Sequence, residues 1–341
     1  MKKVLFIGGT GIISTAITRR LAEEECELFL LNRGNRPLDR TFDTVHHISC
    51  DINDEDAVRG FIGDMTFDVV ADFIAFVPDH VKRDYRLFNG RTGQYIFISS
   101  ASAYQKPLSD YRITEGTPLF NPYWEYSRNK IACEEYLTER YRTDSFPVTI
   151  VRPSHTYDER SIPLGVHGNK GSWQVARRIL DGRPVIIHGD GTSLWTMTHN
   201  SDFAAAFTGL LGNVHAIGET VQITSDETLT WNQIYRSIAA ALGKELKPVY
   251  VPSSLLAACT RYDFNGSLLG DKAHSVVFDN TKLKRLVPGF TAVKRFDQGI
   301  RETVSHILAH PQLQTEDPEF DAWSDTVVQA MADARTAVAD L

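Results

Sequence analysis

The stretch that most constrains this chain is residues 3–33, KVLFIGGTGIISTAITRRLAEEECELFLLNRG. Val4 to Ile7 form an apolar run with nothing polar inside it, as expected of a parallel strand covered on both faces. A turn follows at Gly8, Gly9, Thr10 and Gly11, then Ile12, Ala16, Ile17 and Leu21 at helical spacing, then a second apolar run, Leu28 to Leu31. A glycine turn feeding a helix N-terminus suits phosphate, because bare backbone N–H groups and the positive helix end point at the ligand. The unit has the roughly 30-residue span of a dinucleotide-binding βαβ motif. Gly8, Gly11 and Ser14 follow G-x-x-G-x-x-(small) rather than G-x-G-x-x-G, with a small residue still allowing close packing of helix on sheet.

The alternation continues. Strands are expected at His46–Ser49, Asp68–Phe73, Gln94–Ile98 and Val148–Val151, with helices at Asp54–Ile62, Asp79–Phe88 and Tyr123–Tyr141 after a start at Asn121 and Pro122. Strands and helices at this pace predict an α/β protein with a doubly wound parallel sheet, whose ligands bind beyond the carboxyl ends of the strands. At the end of the second strand, Asn32 and Arg33 stand where an acidic residue would hold the ribose 2′-hydroxyl of NAD. Arg33 and Arg36 suit a 2′-phosphate, which puts NADP ahead of NAD, the alternative being two solvated loop charges. Asp51, followed by Ile52, is placed to reach the adenine amine, and Phe76 stands at the mouth of the fourth strand.

Ser99 to Tyr104 lies just past another strand end, and Tyr126 and Lys130 share a helix face four residues apart. An ammonium beside a phenol favours phenolate and lowers the tyrosine pKa toward a useful range, with a serine hydroxyl orienting the substrate oxygen. A tyrosine–lysine pair alone is ordinarily a surface contact; with the glycine turn and the strand-end serines it reads as chemistry.

With these motifs, G-G-T-G-I-I-S at Gly8–Ser14, S-A-S-A-Y at Ser100–Tyr104 and Y-S-R-N-K at Tyr126–Lys130, the sequence resembles the extended branch of the short-chain dehydrogenase/reductase superfamily, the NAD(P)-dependent epimerases, dehydratases and reductases. The likeness continues in R-P-S-H-T-Y at Arg152–Tyr157, in G-D-G-T-S-L-W at Gly189–Trp195 and near Phe290–Ile300, and so covers nearly the whole chain. It implies a Rossmann-type sheet with a smaller, interleaved C-terminal substrate lobe. The dinucleotide-binding part would comprise residues 1–153 and about 185–230, the substrate lobe about 154–184 and 245–341.

By that resemblance Tyr126 is the acid/base, Lys130 binds the nicotinamide ribose and tunes Tyr126, and Ser100 binds the reacting oxygen. Gly8, Thr10, Gly11, Ile12, Ile13, Phe73, Ser99, Pro153 and His155 would join Asn32, Arg33, Arg36, Asp51 and Ile52 around the cofactor. Ser102, Tyr104, His155 and Trp195 would face a sugar-like substrate. A dehydratase of the usual type carries an acidic pair where Ala101 and Ser102 stand, which counts against that route. Sugar-nucleotide members carry an arginine and an asparagine on the diphosphate where this chain has Trp195 and His155. The substrate is therefore expected not to be a nucleotide sugar held in the usual way, unless Arg177 or Arg178 supplies the charge. A homodimer through the helices near Asp79–Phe88 and Tyr123–Tyr141 is also implied.

Two other classes compete: an RNA-binding protein on the same scaffold, as some relatives of the branch are, and a cofactor sensor without turnover. The first predicts a basic face and a decayed Tyr/Lys pair, whereas the formal net charge is −7 with Lys and Arg dispersed. No stretch is long and apolar enough to span a bilayer, and residues 1–7 already read as core strand, so the expectation is a cytoplasmic protein. Cys26, Cys50, Cys133 and Cys259 lack C-x-x-C spacing and are expected as reduced thiols. His46, His47, His155, His167, His188 and His199 are too scattered for a metal site.

Overall fold

The computed structural model describes residues 1–34 and 45–341. In chain order the first half runs β1 (Lys2–Ile7), α1 (Ile12–Ala22), β2 (Cys26–Asn32), β3 (His46–Ser49), α2 (Glu55–Ile62), β4 (Val69–Asp72), α3 (Pro78–Phe88), β5 (Tyr95–Ile98), β6 (Arg112–Ile113), α4 (Glu125–Asp144) and β7 (Val148–Pro153). The second half continues β8 (His155–Tyr157), α5 (Trp173–Leu180), β9 (Val185–His188), β10 (Leu194–Trp195), β11 (Met197–His199), α6 (Asn200–Thr208), β12 (Thr220–Ile223), β13 (Leu229–Thr230), α7 (Trp231–Ala241), β14 (Pro248–Val251) and α8 (Ser253–Ala257). A π-helical segment, Asn265–Lys272, then precedes β15 (Val277–Phe278), α9 (Thr281–Leu286), α10 (Phe296–Ala309) and α11 (Pro318–Ala339).

Seven strands form one parallel sheet in the order β12-β7-β5-β4-β1-β2-β3. Strand order reverses between β1 and β4, so the crevice for a ligand opens beyond their carboxyl ends. Side chains alternate between the two faces. Val4, Phe6, Leu28, Leu30, Val69 and Ala71 enter one core with α6, while Leu5, Ile7, Phe29, Leu31 and Val70 enter the other with Val81, Leu87 and Leu137. That double burial is why these strands are apolar without a break.

The smaller lobe has its own core around Trp231, Tyr235, Ile179, Ile187 and Ile300. One expectation changes here. Val185–His188 pairs in parallel with β14 and packs into this second core, so it belongs to the smaller lobe, whereas Thr220–Ile223 pairs with β7 in the large sheet. α6 and, further on, Leu283 and Phe290 return to the sheet side. α4 begins two residues later than expected, because the Asn121 side chain takes the N–H groups of Tyr123 and Trp124 and delays the helix to Glu125. Thr230 caps α7 through a reciprocal box with Gln233. All four cysteines are free thiols. Among the described residues no helix is long and apolar enough to cross a membrane, and no cluster of His, Cys, Asp and Glu is arranged for a metal.

Candidate active site

The glycine turn takes the shape its residues require. Gly8 and Gly9 have φ of +103° and +100°, a region L side chains avoid, and a Cβ on Gly9 would stand 2.7 Å from Leu30. Gly11 starts α1, and Ser14, buried in the third small position, accepts its N–H at 2.9 Å. The departure from glycine at Ser14 is thus a cap as well as a close-packing residue.

A cleft of ≈ 340 Å³ opens above β1, β2 and β4, lined by Thr10, Asn32, Arg33, Asp51, Ile52 and Phe76 among others. Arg33 is exposed at its rim. Asp51 accepts from the backbone and side-chain N–H groups of Asn53 at 2.9 and 3.0 Å. Sequence reading missed the support behind it. Asn53 accepts from Arg83 at 2.8 Å, and Arg83, buried, spans Asp84 at 2.7 Å and Asp72 at 3.2 Å. Burial and the neighbouring Asp84 charge hold the Asp72 carboxyl well above its usual range. The Asn32 Nδ2 is buried without a partner in this cleft. Arg36 lies outside the described residues.

A second cleft of ≈ 330 Å³ adjoins the first: Ile12 and Ile13 line it, and the Tyr126 ring on its wall is 6.5 Å from the Phe76 ring of the first. Ser100, Ser102, Tyr126, Pro153 and His155 all face it. The Ser100 side chain opposes the upward shift of the Tyr126 phenol. Ser100 Oγ lies 2.9 Å from Ser102 Oγ, which accepts from the Ser127 hydroxyl at 2.7 Å, so a chain of hydroxyls runs from the helix interior to Ser100. Lys130 donates to the carbonyls of Ala75 and Ile98 at 2.6 and 2.7 Å, and its Nζ is 5.6 Å from the Tyr126 ring centre.

The electrostatics differ from the expectation of a lysine-lowered phenol. Burial pushes Tyr126 up to about 12, opposed by the hydrogen bond from Ser100 and reinforced by the Asp271 charge. Burial likewise pulls Lys130 down to about 8. The ammonium is engaged by two carbonyls, so desolvation outweighs its pull on the phenol.

Seven expected residues do not line either cleft: Gly8 and Gly11 of the turn, Lys130, and four side chains that pack elsewhere. Ser99 is buried and donates to Glu134, which also pairs with Arg152. Tyr104 is buried, its hydroxyl on Gln222 at 2.8 Å and its ring under the Arg152 guanidinium. Phe73 packs on Phe6 and Phe207. Trp195, 2% exposed, packs on Trp231 in the core of the smaller lobe. Nor do Arg177 and Arg178 face the cleft: Arg177 pairs with Asp181, and Arg178 with Asp321 and Asp325 of α11.

In their place the fold brings Trp124, Asp271 and Lys272 to the second cleft. The last two end the π-helical segment, a geometry frequent at functional sites. Ser154 Oγ, His155 Nδ1 and Thr156 Oγ1, all from residues lining this cleft, are buried without a partner. Burial drives His155 down to about 3, with the Lys272 and His167 charges adding to the shift, so its imidazole is neutral. Trp124, two residues before Tyr126, was open to notice in the sequence; Asp271 and Lys272 carried no local signal.

Comparison with known proteins agrees with this architecture. A 2′-dehydrokanamycin reductase of Streptomyces kanamyceticus is 25% identical over 84% of this chain and 80% of its own length. A chloroplast stem-loop binding protein of 41 kDa from Arabidopsis thaliana is 27% identical over 71% of this chain and 64% of its own length. The structure of a Thermus thermophilus UDP-glucose 4-epimerase in complex with NAD superposes with a TM-score of 0.68 at 21% identity, over 90% of this chain and 99% of that one, which establishes the shared fold. The model of one enzyme family matches residues 4–224, the sheet and both clefts' principal walls, and the chain therefore belongs to the NAD dependent epimerase/dehydratase family.

Proposed function

We propose that this protein is an NAD(P)-dependent oxidoreductase of that family, acting at a hydroxyl or carbonyl carbon of a sugar-like small molecule with Tyr126 as acid/base. The observation that carries the reading is that Ser100 and Tyr126 line the same cleft beyond the strand ends, with Lys130 one helical turn from Tyr126. The partnerless Asn32 Nδ2 in the first cleft fits a dinucleotide held there. A dinucleotide held there would supply hydride to the substrate carbon, or accept it, through its nicotinamide.

With its pKa near 12 the Tyr126 phenol is protonated at neutral pH, which suits it to hand a proton to a substrate oxygen as a carbonyl becomes an alcohol. Ser100, held by Ser102 and Ser127, donates to the same oxygen and orients it. Of the three N–H donors on Lys130, two hold the backbone carbonyls of Ala75 and Ile98 and the third remains for a ribose hydroxyl. In the first cleft Asp51 suits the adenine amine, and Arg33, together with Arg36, favours NADP. The relative named as a reductase of a kanamycin derivative supports the reductive direction and a sugar-like substrate.

Native mass spectrometry of the purified protein, with and without added NAD or NADP, tests cofactor binding. Turnover of Tyr126→Phe tests the chemistry: a loss of about 10²-fold or more at unchanged cofactor affinity is expected. Full activity in that variant overturns the assignment.

A further inference from the structure

The second cleft carries charge of both signs. Asp271 and Lys272 both line it, with Lys272 Nζ 3.8 Å from Asp271 Oδ2, and Lys272 is the one Lys or Arg among the described residues that do. A nucleoside diphosphate brings at least two negative charges, and its recognition takes guanidinium or ammonium donors not already neutralised. The arginines that would serve are occupied. Arg178 commits all three guanidinium nitrogens, Nε to the Pro184 carbonyl at 2.8 Å, Nη1 to Asp321 at 2.7 Å and Nη2 to Asp325 at 2.8 Å. Arg183 binds the same two carboxylates, and Arg177 pairs with Asp181.

What the cleft offers instead is neutral hydrogen bonding, one carboxylate and an aromatic wall. Ser154 Oγ, His155 Nδ1 and Thr156 Oγ1 are buried and unpartnered, and fit hydroxyl groups better than phosphate. The Trp124 indole is fixed by the same segment that delivers Asp271 and Lys272, since a Cβ on Gly266 would lie 2.3 Å from its Cδ1. Lys272 stands 5.9 Å from that ring. The Asn121 amide ties the arrangement together, donating to the carbonyls of Ser102 at 2.8 Å and Gly270 at 2.7 Å. An indole face suits the C–H surface of a sugar ring, and a carboxylate beside it suits hydroxyl or ammonium substituents.

We propose that the second cleft binds a polyhydroxylated ring compound that carries amino groups and is free of any nucleoside diphosphate, with Trp124 as its platform and Asp271 as its polar anchor. This rests on the redox reading of the same site and specifies its substrate class. Burial raises the Asp271 carboxyl above its ordinary range, opposed by the charges of Lys272 and Lys106.

Calorimetry on the NADP-loaded protein tests this with neamine and glucosamine as amino-sugar probes, and UDP and inorganic pyrophosphate as diphosphate probes. Saturable binding of neamine or glucosamine, weakened about tenfold or more in both Asp271→Asn and Trp124→Phe, with neither diphosphate probe binding below millimolar concentration, is the expected result. Micromolar binding of UDP or pyrophosphate overturns the proposal, as does failure of both amino-sugar probes to bind. So does binding that both variants leave unchanged; circular dichroism of each variant establishes that it is folded, and either folded variant alone suffices for the comparison. Because calorimetry reads binding without turnover, a negative result leaves the Tyr126 chemistry standing, and an active Tyr126→Phe enzyme leaves the ligand class standing.

Discussion

The Asn121 side chain donates to the Gly270 carbonyl at 2.7 Å, joining residues far apart in the chain at the rim of one cleft. The same amide nitrogen reaches the Ser102 carbonyl, while its oxygen takes the N–H groups of Tyr123 and Trp124. One buried side chain thus sets the strand-end serines, the start of the tyrosine-bearing helix and the π-helical segment against one another. The site is assembled from three separated segments, and its precision depends on groups that never touch a ligand.

The hydroxyl relay behind Ser100 gives a first expected outcome. Ser127→Ala removes the donor to Ser102 Oγ and loosens the orientation of Ser100. Turnover should fall about tenfold with cofactor affinity unchanged, and stability by about 1 kcal/mol. Steady-state kinetics beside denaturant unfolding separates the two; a stability loss without any change in kcat shows that the relay only packs.

On the proposed reading, Arg33 at the rim of the first cleft would set cofactor preference. Arg33→Asp replaces a guanidinium suited to a 2′-phosphate with a carboxylate that accepts from a 2′-hydroxyl and repels phosphate. The ratio of NADP to NAD dissociation constants should move toward NAD by about tenfold or more. An unchanged ratio places Arg33 away from the ribose.

Acid stability should depend on His188. Its Nε2 is 3.1 Å from the Lys272 carbonyl, its ring stands edge-on to Trp231, and burial drives its pKa from the ordinary 6.5 down to about 4. The unfolded chain therefore takes up the proton first as pH falls, and stability is lost between about pH 6.5 and about pH 4 at up to roughly 1.4 kcal/mol per pH unit for this residue. His155, driven down to about 3, acts in the same sense over a wider window. Melting midpoints from about pH 7 to about pH 4 should fall less steeply in His188→Gln than in the unaltered protein. Parallel slopes dismiss the residue as the source.

The C-terminal helix is held by charge as well as by apolar contact. Arg178, 1% exposed, bridges Asp321 and Asp325 of α11, with Phe320 and Trp323 packed beside Tyr262. Arg178→Met should cost about 1–2 kcal/mol, because it removes the buried guanidinium's hydrogen bonds while Arg183 still pairs with both partly exposed carboxylates. Faster proteolysis within residues 318–339 would accompany the loss, while cofactor affinity should hold. A variant of normal stability removes the clamp from the account.

Much of this protein is written in short-range pattern. The apolar runs of β1, β2 and β4, the glycine turn, and Tyr126 with Lys130 one turn apart are legible because each follows from the period of a strand or helix, or from the φ that a glycine alone accepts easily. Sequence placed Ser100, Tyr126, Pro153 and His155 around one cleft, and the structure brings them there. Ser99, Tyr104 and Trp195 carry the same kind of promise in sequence, yet the fold uses them against Glu134, Gln222 and Trp231. A motif names neighbours along the chain; which way a side chain faces is settled by what packs beside it. Asp271 and Lys272 were invisible for the converse reason, since only the docking of residues 265–272 on Asn121 and Trp124 brings their charges to the cleft. The phenol's pKa followed the same division: spacing set Lys130 near Tyr126, but burial, which exists only in the folded chain, decided the direction in which both groups shift.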